Sequence, residues 1–105
     1  MASGRMATVD ITNAATDTQL YSCPNNKTAS FSISIVNRSS VNTALIRVAL
    51  TNGTTVTADS YVAYDVALYP NEVYERSGFV LTQGQYVYVR SSTTSVNAVA
   101  YGYEE

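Results

Sequence analysis

Four carboxylates, Asp59, Asp65, Glu72 and Glu75, fall within one short region and are the residues best suited to acid–base work. Glycoside hydrolysis would need two of them held about 5–9.5 Å apart in a cleft. A chain of 105 residues has little room for a cleft once its core is filled, so solvated or arginine-paired carboxylates are expected. There is no histidine, which rules out Ser-His-Asp and Cys-His nucleophiles and leaves a typical zinc site short of ligands. Cys23, alone beside Pro24, has no base to activate it and reads as a small buried filler. Without a second cysteine no internal disulfide forms, which favours a reducing compartment. Calcium ligation by Asp59, Asp65 or Glu104-Glu105 has no loop signature, and the five glycines are too dispersed for a phosphate loop. No catalytic residue, cofactor or metal is expected, and the reading is of a protein that is not an enzyme.

Nine tyrosines offer a different chemistry, because a ring with a polar tip stacks on sugars and seals protein interfaces. Tyr61, Tyr64, Tyr69 and Tyr74 crowd the middle of the chain, and Tyr86, Tyr88, Tyr101 and Tyr103 crowd its end. Period two puts Tyr86 and Tyr88 on one strand face, and Tyr101 and Tyr103 likewise. If those two strands are neighbours, the pairs form an exposed aromatic ladder; a subunit contact or plain sheet lining is the blander reading. Asn26, Asn37 and Asn52 each open an Asn-x-Ser/Thr triplet, about the number chance gives in so Asn-, Ser- and Thr-rich a chain.

The elements that carry these residues are strands. Thirteen Val, thirteen Thr, twelve Ser and nine Tyr dominate, and such side chains suit a pleated, half-buried surface better than a helix. Ala29 to Asn37 alternates apolar residues with serines, so one face meets a core and the other is a row of small hydroxyls. Further strands read at Ala7 to Ile11, Thr18 to Ser22, Thr43 to Thr51, Tyr61 to Tyr69, Val73 to Leu81, Tyr86 to Arg90 and Val96 to Tyr103. Pro24-Asn25-Asn26-Lys27 is a turn, Asn52-Gly53 opens a longer loop, and Gly78 marks a bulge or close approach. Leu45 and Ala49, opposite the apolar face of their strand, suggest cover on both sides. The uncharged run Tyr86 to Val89 needs a partner strand or a covering subunit. The fold class is therefore all-β: a single antiparallel β-sandwich or jelly-roll-like domain of about eight strands over 1–105, with a short flexible N-terminal arm at about 1–6.

Charge sets further limits. Only 13% of residues are charged, six basic against eight acidic, and Lys27 is the only lysine. Nucleic-acid binders cluster Lys and Arg, so no nucleic acid is expected as partner. No run reaches the apolar length of a membrane span, so no membrane is expected either. A Ser/Thr/Tyr surface is less costly to desolvate than a Lys/Glu one and suits burial against protein neighbours.

Several ordered motifs resemble a family of small virion proteins of tailed bacteriophages, prominent among phages of cyanobacteria and marine bacteria. They are Val36-Asn37-Arg38, Tyr61-Val62-Ala63-Tyr64-Asp65 before Pro70, Glu75-Arg76-Ser77-Gly78 with Leu81, Gly84 with Val87-Tyr88-Val89-Arg90-Ser91-Ser92, and the terminal Tyr101-Gly102-Tyr103-Glu104-Glu105. The likeness covers roughly residues 28–105, with a looser one over Val9 to Pro24. It implies a non-enzymatic structural protein. The favoured job is a capsid decoration (cement) protein on the outer capsid surface, bound to the major capsid protein, homo-oligomeric with a trimer favoured, and made in the host cytoplasm. The alternative is a tail, fibre or baseplate component, with or without a carbohydrate-binding role. Arg38, Arg47, Arg76 and Arg90 are candidates for interface ion pairs, with internal pairing to residues such as Asp65 or Glu75 as the rival reading. Tyr86, Tyr88, Tyr101 and Tyr103 complete the candidate interface.

Overall fold

The computed structural model describes residues 2–105, which fold as eight strands and no helix. These are β1 (Ala2–Asp10), β2 (Thr18–Ser22), β3 (Thr28–Asn37), β4 (Ala44–Thr51), β5 (Tyr61–Leu68), β6 (Val73–Thr82), β7 (Tyr86–Ser91) and β8 (Val96–Glu104). Sheet I has the order β1-β8-β3-β6 and sheet II the order β2-β7-β4-β5, with every neighbouring pair antiparallel. Only the β4–β5 connection stays within one sheet; every other one crosses between them. The result is an antiparallel β-sandwich, the all-β architecture that the Val/Thr/Tyr composition favours.

Period-two patterning builds the core. Phe31, Ile33 and Ile35 from β3, Ala98 and Ala100 from β8, Ile46 and Val48 from β4, and Val87 and Val89 from β7 are all buried between the sheets. Tyr21, Phe31 and Phe79 form a line of rings through it at centroid spacings of 5.6 Å. Cys23 is buried as a filler, its thiol facing the Lys27 carbonyl at 3.3 Å and pushed above its ordinary pKa chiefly by desolvation. At Gly102, β8 comes so near β3 that an added Cβ would lie 2.2 Å from the Ser30 carbonyl oxygen and 2.6 Å from Phe31 Cα. The missing side chain there leaves space for Phe31 in the aromatic line.

Two ties close the open sides of the sandwich. On one, the Tyr21 hydroxyl of β2 donates to Glu104 Oε2 of β8 at 2.6 Å. On the other, Arg76 of edge strand β6 reaches across to donate to the Val62 carbonyl of edge strand β5, its guanidinium 5.9 Å from the Phe79 ring. A charge turned across an open edge discourages another chain from pairing there. Asn37, fully buried at the end of β3, donates to the carbonyls of Asn42 (2.8 Å) and Leu68 (2.9 Å) and accepts from the Ser39 amide. Its amide is consumed in joining the two sheets, so this triplet serves packing.

Some expectations change. The arm over about 1–6 is strand from Ala2, with Ala2 to Arg5 paired to Glu104 to Tyr101; Met1 lies outside the described residues. Alternation gives no sign of this because backbone ladder bonds, not side chains, set the pairing. The run Tyr86 to Val89 does have the partner strands it calls for, since it belongs to β7, flanked by β2 and β4 in its own sheet. Beneath β4's outer side Ala49 is buried, but Leu45 is exposed, so cover on both faces is partial. Gly78, at φ 89°, does sit in a bulge where β6 gains a residue opposite Phe31 to Ile33.

Candidate interface

The outer face of sheet II collects half of the candidate residues: Arg47, Arg90, Tyr86 and Tyr88. Arg47 of β4 and Arg90 of β7 stand directly opposite each other in register. Like charges so placed repel, and two aspartates offset them. Arg47 Nε donates to Asp65 Oδ1 at 2.7 Å and its Nη2 to Oδ2 at 3.2 Å, while Arg90 lies 4.0 Å from Asp17. The Arg47 guanidinium also sits 4.0 Å from the centroid of the Tyr64 ring and 5.8 Å from that of Tyr61. Asp65 is held below the usual carboxylate range, first by the Arg47 hydrogen bonds and then by the charges of Arg47 and Arg90 against some desolvation.

Bulges in β5 make this cluster possible. The β4–β5 register shifts between Ile46 and Val48 and again between Val48 and Ala49, each time with one extra residue in β5. Asp65 takes a left-handed φ of 50°, which Asp tolerates better than most residues. The first bulge turns Tyr64 and Asp65 outward together, and the second brings Tyr61 back to the same face. Tyr61 and Tyr64 then meet edge to face at 4.9 Å. On the other side of Ala49, Tyr88 stacks with Tyr86 at 6.2 Å, and its hydroxyl reaches the Thr54 carbonyl at 3.3 Å.

Sheet I holds the rest. Tyr101 donates to Glu75 Oε2 at 2.9 Å, which raises its hydroxyl pKa, with desolvation as the smaller cause. Tyr103 is 46% exposed on the same side of β8. Arg38 pairs with Asp10 at 2.7 Å at an exposed site, and Arg76 donates one hydrogen bond, from Nη1, to the Val62 carbonyl. All four candidate arginines therefore have partners inside the chain. The two tyrosine pairs do not form one ladder, because β7 and β8 lie in different sheets.

The structure also separates the carboxylates. Asp65 and Glu75 face outward from opposite sheets, Glu72 accepts from the Tyr69 amide at 2.7 Å in the β5–β6 turn, and Asp59 accepts from the Thr57 hydroxyl. No two of these four face one another across a cleft, and among the described residues no group of three His, Cys, Asp or Glu gathers. Tyr61, Tyr64, Asp65 and Glu75 are the interface residues that period-two reading passes over. The Tyr-x-x-Tyr-Asp run with its αL-tolerant aspartate signals the first three, and Asp65 and Glu75 were also readable as internal partners for the arginines.

No protein-family model matches the chain, and no curated protein does. Two solved structures, each described as a pentameric capsid protein isolated from metagenomic phage sequences, are similar to it at 17% identity and a TM-score of 0.47. The alignments cover 91% of this chain but 62% and 60% of those chains, so this protein spans about three fifths of their length. At that level of likeness no residue's role is carried across.

Proposed function

We propose that this protein is a non-enzymatic structural component of a phage virion, most specifically a capsid decoration protein that docks on the outer capsid surface as a homo-oligomer, with a trimer favoured. The observation that carries this reading is the outer face of sheet II. It is built from Arg47, Arg90 and four tyrosines on paired strands, with Asp65 and Asp17 each set against one of the arginines. Arg and Tyr are the side chains that dominate protein–protein binding energy, and here internal contacts hold them in place before any partner arrives. The way the strands alternate between two four-stranded antiparallel sheets supports a jelly-roll reading, an architecture found in viral capsid and lectin domains. Because one fold hosts many functions, the surface chemistry and the sequence motifs bear the weight. Binding only the assembled lattice would stabilise it by mass action.

The test is addition of the purified protein to expanded capsids lacking it. Binding at fixed stoichiometry with a raised capsid melting temperature is expected. Tyr64→Ala should weaken that binding about tenfold or more, as a hot-spot truncation does. No binding to capsids would sink the reading, and co-purification with tails from head-defective particles would replace it with the tail or fibre alternative.

A further inference from the structure

The opposite face of the sandwich is built differently. Ser30, Ser32 and Ser34 point outward from β3, between the larger side chains of β8 on one side and β6 on the other. This floor of small hydroxyls makes a trough along sheet I, and beside Glu75 and Tyr101 it deepens into a hollow of about 230 Å³. Tyr101 belongs to β8 and Glu75 to β6, with β3 between them. Their hydrogen bond therefore spans two strand spacings, about 9.6 Å in all. To reach, the Tyr101 side chain must lie down across β3, and the small Ser32 beneath it provides the room. The ring is fixed at both ends, by its backbone and by its hydroxyl, yet it stays 38% exposed. Tyr103 stands two residues further along the same face, paired in register with Ser30, about 6.8 Å away along the strand.

We propose that this trough binds an uncharged oligosaccharide, with Tyr101 and Tyr103 as successive stacking platforms. The electron-rich face of a tyrosine ring attracts the C–H face of a pyranose, and a ring already held in place loses no rotamer freedom on binding. The serine hydroxyls both donate and accept, and Glu75 keeps one carboxylate oxygen free to accept from sugar hydroxyls. Arg76 also lines the hollow but turns its guanidinium onto the Val62 carbonyl, so the two opposite charges give the site no net preference for an acidic glycan. The site uses the face opposite Arg47 and Tyr64, so it stands apart from capsid docking.

The full-length protein is titrated with neutral glucose-, mannose-, galactose- and N-acetylglucosamine-based hexasaccharides and followed by saturation-transfer NMR. Binding of at least one is expected. Tyr101→Ala and Tyr103→Ala should each weaken it tenfold or more, with thermal melts showing both variants folded. Tyr64→Ala, on the other face, should leave it unchanged. No binding across the panel overturns the proposal, as does binding that survives both Tyr101→Ala and Tyr103→Ala or is lost equally in Tyr64→Ala. Capsid binding is measured separately, so either reading can fail without the other.

Discussion

The two outer faces of the sandwich both present tyrosines, but they hold them by different forces. On sheet II, Tyr61 and Tyr64 gather around the guanidinium of Arg47, and Asp65 neutralises a charge that Arg90 would otherwise repel. On sheet I, Tyr101 lies over a serine and is tied to a carboxylate, and the strand beneath it is seated by the close approach of Gly102 to β3. One face is organised by charge and responds to pH and salt. The other depends on steric fit and responds to added volume.

The largest expected effect tests the steric side. Gly102→Ala would place a methyl 2.2 Å from the Ser30 carbonyl oxygen and 2.9 Å from Phe31 Cβ, so β8 must move off β3. A loss of about 2–3 kcal/mol is expected from forcing an atom into so close a contact. Gly53→Ala, where nothing lies within 4 Å of the new Cβ, should change stability little. Urea midpoints for the two variants check this. Equal midpoints would mean that sheet I does not depend on that approach.

Next in size is the tie between the sheets. Tyr21→Phe removes a hydrogen bond to a carboxylate and should cost about 1–2 kcal/mol. Its pH dependence has a definite sign. Burial first, and Glu104 second, push the Tyr21 hydroxyl well above its ordinary pKa. The folded state therefore keeps this proton more tightly than the unfolded chain, and the associated stability is complete below about pH 10 and declines as pH rises above it. Melting temperatures across that range should fall more steeply for the wild type than for Tyr21→Phe. Parallel curves would assign the alkaline loss to other groups.

How much of this was legible in the sequence follows the same division. Strand positions and core residues were readable because alternation such as Ala29 to Asn37 reports burial directly, and the Gly78 bulge followed from its glycine. The serine row was readable too. Its partners were not, because which strand lies beside β3 is a matter of long-range pairing that period-two patterning leaves open. That is why the Tyr86/Tyr88 and Tyr101/Tyr103 pairs, alike in sequence, fall in separate sheets. Tyr61 and Tyr64 were hidden for a local reason. Three residues apart, they belong on opposite faces of a regular strand, and only the bulges of β5 bring them together. Asp65 was readable as an arginine partner, and it does clamp Arg47, but its place in the bulge showed only in its tolerance of a left-handed backbone.

The smallest effect isolates the charged face. Asp65 titrates below an ordinary aspartate because Arg47 donates two hydrogen bonds to its ionised form, so the unfolded chain binds this proton more tightly than the folded one. The resulting stability is present above the unfolded value, about pH 4, and is lost as pH falls through the lower folded value. Asp65→Asn keeps a side chain that accepts the left-handed φ but removes the charge. It should be less stable than the wild type at neutral pH and should converge with it in acid. Arg47→Ala should show the same convergence, and the double variant should lose less than the two single losses summed, because both remove one clamp. Salt should shrink the neutral-pH difference, since the pair is partly exposed. A difference that stays constant from neutral pH into acid would mean that Asp65 holds its bulge by backbone conformation alone, and the contrast between a charge-built face and a packing-built face would then collapse.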